Sequence, residues 1–270
     1  MTEAEVIAAT TTPATVGTLI RDLRALGLDE GATVMVHTSL SKLGFVVGGA
    51  QAVVEALVEV VGPSGTVVMP THSGALSDPA EWGNPPVPAG WHDTIRSTMP
   101  AFDPALTPTR SMGAVVECFR HLDGVQRSTH PSVSTAARGP QASFITDDHQ
   151  LDSGLGEGSP LARLYDLDAQ VLLLGVSHAN NTCLHLAEHR AAYPSKATTS
   201  KSAPLTVDGR RQWVTYEDLA EDADDFDQIG ESIGAAGLER RGVVGAGEAR
   251  LMQVRQVVDH AVAWMERHRS

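Results

Sequence analysis

The sequence predicts an α/β protein: one domain over residues 1–270, with a mixed, largely parallel sheet flanked by helices and carrying long functional loops. Three observations predict it. Two β-rich runs, Thr33 to Thr38 and Thr66 to Met69, enclose an apolar helical stretch, which makes a parallel strand–helix–strand unit. Val171 to Leu174 is an unbroken apolar run, as in a strand covered on both faces, and a polar turn and a helix follow it. No internal repeat, linker or low-complexity tail interrupts the chain.

The elements follow in order. Residues 1–12 are expected to be a loosely ordered N-terminus. Val16, Leu19, Ile20, Leu23 and Leu26 recur at helical spacing, and Gly27 ends that helix. TVMVHT alternates and is β-branched, so 33–38 is a strand. A helix runs from about 50 to 61 and stops at Gly62-Pro63, before the second strand. Residues 70–108 are Pro-rich and without a sustained period. A loop of that length inside a domain is usually functional or disordered, and Trp82 and Trp91 favour an ordered one. A helix over 111–121 and a short strand near 127–139 precede the Gly-rich stretch 151–160 and a helix over 160–166. Leu205 to Val207 and Trp213 to Thr215 flank Asp208-Gly209 as a hairpin. Residues 217–231 are the densest acidic run, with Ile229 and Ile233 marking a packed helix. GVVG at 242–245 fits strand or turn. A final helix is expected over 247–267.

Composition narrows the function. The formal net charge is −13, which disfavours nucleic acid as a partner, because its binders cluster Lys and Arg against phosphate. No apolar run is long enough to cross a bilayer. The first residues carry acids and no basic segment, unlike a secretory signal. Cys118 and Cys183 are the only cysteines, so no disulfide framework is expected and a cytoplasmic location fits. Their separation argues against a zinc cage. HLAEH at 185–189 lacks the HExxH or HxxEH order, so no metal is expected. GxGxxG, Walker and GxSxG motifs are absent.

The chemistry-bearing stretch is VLLLGVSHANNTCLHLAEHR, 171–190. It places His178 in the turn at the carboxyl end of a strand, where open α/β sheets bind ligands. Thr182, His185 and His189 follow at helical spacing with Glu188 beside them, which are parts for proton transfer. A histidine in a turn is also a common surface residue. Ser39, Ser41, Ser111, Ser128 and Ser134, with Lys42, Arg110 and Arg127, lie at element ends. Such groups can hold pyrophosphate, and helix capping explains each one singly as well.

Taken in order, HTSLSKLG (37–44), MPTHS (69–73), MPAFDP (99–104), TPTRSMG (107–113), RSTHPSVS (127–134), LDSGLGEGSPL (151–161), LLLGVSHANNTCLHLAE (172–188) and FDQIGE (226–231) make a specific pattern. The chain resembles the aminoglycoside 3-N-acetyltransferases, a family distinct from the GNAT fold, over nearly its whole length. The resemblance implies acetyl transfer from acetyl-coenzyme A to an aminoglycoside amine, the 3-amine of the 2-deoxystreptamine ring, and antibiotic resistance. It assigns the coenzyme cradle to Ser39, Leu40, Ser41, Arg110, Ser111, Met112, Gly113, Ser128, His130 and Val133. It makes His178 the general base, and Glu188 is the expected partner. Asp78, Glu81, Trp82, Asp225, Asp227 and Glu231 would face the polycation. A monomer or homodimer is expected.

The chemistry agrees. An ammonium has no free lone pair, so a proton must leave before or during attack on the thioester. An imidazole with an ordinary pKa of about 6.5 suits that task near neutrality. Thr182 is a candidate donor to the oxyanion, although capping would also explain it. Cys183, beside Leu184 in a helix, reads as an apolar filler, so direct transfer in a ternary complex is expected. An acetyltransferase for a different amine, a non-catalytic binder of cationic ligands and a metal hydrolase remain as other readings.

Overall fold

A computed structural model describes residues 2–270. It has α1 (Glu3–Ala9), α2 (Val16–Leu26), β1 (Thr33–Thr38), α3 (Gly49–Val61), β2 (Thr66–Pro70), α4 (His92–Thr98), α5 (Ala114–Arg120), β3 (Gln126–Arg127) and β4 (Thr135–Arg138). It continues with α6 (Ala142–Thr146), α7 (Pro160–Asp166), β5 (Gln170–Leu174), α8 (Cys183–Arg190), β6 (Thr198–Val207), β7 (Arg210–Leu219), α9 (Phe226–Ala235), β8 (Glu239–Val244), β9 (Gly247–Gln253) and α10 (Val254–His268).

Seven strands form one sheet in the order β3-β4-β2-β1-β5-β9-β8. β1 pairs in parallel with β2 and with β5. β4 and β9 oppose that direction, and β3 and β8 return to it on the two edges. The sheet is therefore mixed, with most strands sharing one direction, as expected. Alternation along each strand sorts side chains onto two cores. Val34, Val36, Val67, Met69, Leu172 and Leu174 pack with α2, α3 and α5. Met35, Val68, Val171 and Leu173 pack with α6 to α10. By the same alternation, His37 shares the face of Met35, toward α8.

Several expectations need correction. Residues 3–9 are helical rather than loosely ordered, because Thr2 and Glu5 form a reciprocal capping box and Val6 is buried. The expected last helix is two elements: 247–253 pairs with β5 and β8, and only Val254 onward is helical. Ala249, Leu251, Val254, Val257, Val258, Ala261 and Met265 are all buried, so strand and helix spacing merge into one apolar pattern. Gly242 to Val244 close β8, whose polar start Glu239-Arg240-Arg241 concealed the strand. The 205–215 hairpin is longer than its apolar ends suggested. β6 and β7 pair over ten residues each around a two-residue Asp208-Gly209 turn with both φ positive. The long loop contains α4 and is ordered against this hairpin, for Phe102 N–H donates to the Pro204 carbonyl at 2.9 Å and Arg211 Nε to that of Met99 at 2.8 Å.

Between β4 and α6 the backbone runs against the start of β2. Gly139 has φ +133°, and a Cβ there would lie 2.2 Å from the Gly65 carbonyl oxygen and 2.7 Å from Thr66 Cα. Those are backbone atoms inside the sheet and cannot swing away. Gly139→Ala is expected to cost about 1–3 kcal/mol by overpacking, with further loss from the disfavoured φ. Urea unfolding measures it, and an unchanged midpoint would contradict the contact.

Candidate active site

β1, β2 and β5 run in parallel, so their carboxyl ends open on one edge of the sheet. β2 lies on one side of β1 and β5 on the other, which makes the β1–β5 boundary a topological switch point. A cleft of about 90 Å³ sits there, lined by His37 and Thr38 of β1, Pro70 of β2, Ser111 and Met112, and Val176, Asn180 and Thr182 of the segment after β5. Ser111 holds φ +61°, a left-handed conformation rare for a residue with a side chain.

α8 begins at this cleft. Asn181 caps it, with its Oδ1 accepting the Cys183 N–H at 3.2 Å. Thr182 makes no capping bond, and its residue lines the cleft. One turn on, His185 Nδ1 and Glu188 Oε2 are 2.5 Å apart. Glu188 is fully buried. It also accepts the Asp222 N–H at 2.9 Å and Arg269 Nη1 at 2.6 Å. Burial by itself would raise its pKa. The bonds from His185, Arg269 and the Asp222 amide outweigh that and hold the carboxyl below its ordinary value. His185 packs its ring on Phe226, with centroids 4.8 Å apart, and remains partly exposed. His37 and His72 lie near enough that a charge on His185 would repel a charge on either. Burial, aided by that repulsion, lowers both to about 3, so these two imidazoles stay neutral.

The structure separates His178 from the partner expected for it. His178 is 4 % exposed. Its Nε2 faces Glu239 Oε2 of β8 at 3.3 Å and its Nδ1 faces Asn181 Nδ2 at 3.4 Å. Gly230 of α9 covers the ring so closely that a Cβ would fall 2.4 Å from it. Both ring nitrogens are thus engaged away from the cleft, and burial lowers the pKa against the pull of Glu239. The expected His178–Glu188 pairing is not formed: Glu188 bonds His185, and His178 faces Glu239 instead. The signal lay in the i, i+3 spacing of HLAE. The Glu239 and Arg269 contacts join residues far apart in sequence and had no local signal.

The expected coenzyme cradle divides. Ser111 and Met112 line the cleft, Arg110 and Gly113 flank them at the surface, and Gly113 has φ +86° before α5. Ser39, Leu40 and Ser41 form the half-buried turn after β1, and Leu40 and Ser41 border a hollow of about 320 Å³ beside α1. Ser128 and His130 are buried in a hydrogen-bonded network. Ser128 Oγ bonds His149 Nδ1 at 2.9 Å and accepts the Thr135 N–H at 2.9 Å. His130 Nδ1 accepts the N–H groups of Ser132 at 3.2 Å and Val133 at 3.1 Å. Cys183 is buried with its thiol pushed up to about 12, which removes it as a nucleophile at neutral pH.

The acids divide too. Asp78 and Asp225 are each paired with an arginine. Asp78 accepts Arg96 at 2.7 and 3.0 Å and the Ala80 N–H. Asp225 accepts Arg269 at 2.6 and 2.7 Å. Asp227 is exposed and accepts the Ala179 N–H at 3.0 Å, Glu81 and Glu231 are exposed, and the Trp82 indole donates to Ser77 Oγ. Two acids not singled out from sequence lie nearer α8. Asp218 and Glu221 bring oxygens within 4.8 Å of a His189 nitrogen, a grouping with metal-ligand chemistry. Lys201 Nζ already sits between the carboxylates, 3.3 Å from Asp218 and 2.8 Å from Glu221.

A cleft, a buried carboxylate and a partly exposed imidazole thus meet at the carboxyl edge of a mixed α/β sheet. Residues 35–266 match the family model described as aminoglycoside 3-N-acetyltransferase. The chain belongs to that family of acetyltransferases. It is 45 % identical to the SPbeta prophage-derived aminoglycoside N(3')-acetyltransferase-like protein YokD of Bacillus subtilis, covering 96 % of this chain and 95 % of that one. The crystal structure of YokD superposes with a TM-score of 0.96 over 98 % of each chain. Aminoglycoside N(3)-acetyltransferase VII of Streptomyces paromomycinus is 40 % identical, covering 94 % of this chain and 92 % of the relative. A structure described as AAC-IIIb binary with CoASH gives a TM-score of 0.85 at 33 % identity, over 96 % and 98 % of the two chains. Among the described residues no helix is long and apolar enough to cross a membrane.

The buried imidazoles set an acid limit on the fold. Desolvation holds His130 near 4 and His37, His72 and His149 near 3, whereas an unfolded chain binds those protons below about 6.5. Their contribution is complete above about pH 6.5 and is lost as pH falls toward the folded values. The urea midpoint is expected to drop between pH 7 and pH 5, above the range in which carboxylates titrate. A midpoint constant over that interval would contradict neutral burial.

Proposed function

We propose that the chain transfers the acetyl group of acetyl-coenzyme A directly to an aminoglycoside amine, the 3-amine by family, and so confers resistance. The observation that carries the mechanism is the His185–Glu188 pair one turn from a cleft at the switch point. Nδ1–H donates to Glu188, which fixes the tautomer and leaves Nε2 as the proton acceptor. The amine nitrogen attacks the thioester carbonyl, its proton passes to Nε2, and the tetrahedral adduct collapses to amide and thiolate, which takes the proton back. Glu188 stabilises the imidazolium in between. The Thr182 hydroxyl is the donor proposed for the oxyanion. Ser39 to Ser41 and Arg110 to Gly113 are the proposed coenzyme contacts. Glu81, Asp227 and Glu231 are exposed acids available to ammonium groups by charge-assisted bonds.

One observation favours a second reading, in which the acceptor is an amine carrying fewer charges. Lys201 pairs with both Asp218 and Glu221 and halves the charge that these carboxylates near α8 could offer a polycation. A panel of aminoglycosides and simple amines, followed by thiol release and product mass, separates the readings.

His185→Ala is expected to lower kcat by about 10²–10⁴-fold, with coenzyme A binding retained in calorimetry. His178→Gln is expected to keep turnover within a few-fold while lowering thermal stability. Wild-type turnover in His185→Ala would remove the base assignment, and a collapse of kcat confined to a well-folded His178→Gln would return it to His178.

A further inference from the structure

The base assignment leaves open what keeps a fully buried carboxylate aimed at His185. α8 alone does not, because Glu188 is polar and solvent-free on a helix whose other buried faces are apolar. The side chain that completes it comes from just past α10. Arg269 spans two acids with its guanidinium: Nη1 donates to Glu188 Oε1 at 2.6 Å, while Nη2 and Nε donate to Asp225 at 2.6 and 2.7 Å. Nη2 also donates to the Asp222 carbonyl at 2.7 Å, and the group stands over the Tyr193 ring, 5.2 Å from its centroid. Arg269 is itself nearly buried, with 9 % side-chain exposure. The Asp222 N–H meets the same Glu188 oxygen that Arg269 holds, so the acidic loop and α10 converge on one atom.

We infer that Arg269 is a positioning residue for catalysis: its fork holds Glu188 Oε1 so that Oε2 stays on His185, and through Asp225 it ties that geometry to the acidic loop beside α8. The inference rests on the His185–Glu188 reading. A planar guanidinium bridges two carboxylates at fixed spacing, which a flexible ammonium does not. The titratable and charged groups facing the pair are His37, His72, His189, Tyr193, Lys196, Asp222, Asp225 and Arg269. Arg269 is the cation bonded directly to Glu188.

Steady-state kinetics over pH with Arg269→Gln and Arg269→Lys test this. Arg269→Gln removes the cation and the fork. It is expected to lower kcat about tenfold or more with KM for acetyl-coenzyme A unchanged. The acid limb of kcat/KM should move up by about half a pH unit or more, since the imidazolium is then stabilised by a carboxylate no longer shared with a cation. Arg269→Lys keeps the charge and loses the bridge. Its acid limb is expected to stay near wild type while kcat falls several-fold. Wild-type kcat in the Lys variant would overturn the proposal even if the Gln variant failed to fold. A folded Gln variant with lowered kcat and an unmoved acid limb would reduce Arg269 to a structural role and overturn it as well. His185→Ala separates the two levels: full activity there sinks the base assignment, whereas an inactive His185→Ala beside a wild-type Arg269→Gln sinks only the fork.

Discussion

A carboxylate without any solvent is the constraint around which this molecule is arranged. Glu188 cannot remain charged in an apolar interior unless donors replace water. The chain supplies them from three places: an imidazole on its own helix, an amide from the loop after β7, and a guanidinium past α10 that the acid at 225 secures. Each donor requires its own element to be docked. The dyad is therefore complete only when α8, α10 and the acidic loop are all in place. Proton-transfer geometry and tertiary structure become one condition.

The negative charge of the chain looks different in this light. A formal charge of −13 suggests a surface set out for a cationic ligand. Much of the acidity near the cleft is instead consumed inside the protein: Asp78 by Arg96, Asp225 by Arg269, Asp218 and Glu221 by Lys201, and Glu239 by Arg241 and His178. The carboxylates free to meet a ligand are the exposed ones, such as Glu81, Asp227 and Glu231. Internal pairing thereby sets how much charge the binding face presents.

What the sequence displayed was local. Apolar runs and β-branched alternation marked β1, β2 and β5, and helical spacing marked α2 and α3, because those patterns arise from burial on one face of one element. The end of the chain misled, since β9 and α10 are both buried and follow each other without a polar break. The region of the site was legible for the same local reason: the strand, turn and helix of 171–190 and the Ser111-Met112 turn do meet at the cleft. How differently its histidines are buried was not. His178 and His185 stand seven residues apart on one motif, and only the cover by Gly230 and the reach of Glu239 from β8 show that the first is walled in. The burial of Ser128 against His149 was equally hidden, since nothing near Ser128 in sequence announces that partner.

The β6–β7 ribbon forms a sheet of its own and shares no ladder with the seven-stranded one. It nevertheless carries Lys201 and Asp218 and braces the Pro-rich loop through Pro204 and Arg211. Edits at its far end, around the Asp208-Gly209 turn, touch no ladder of the seven-stranded sheet. Ligand preference can consequently drift by edits to one appendage while the reacting groups and their support stay unaltered, which uncouples diversification from the risk of unfolding.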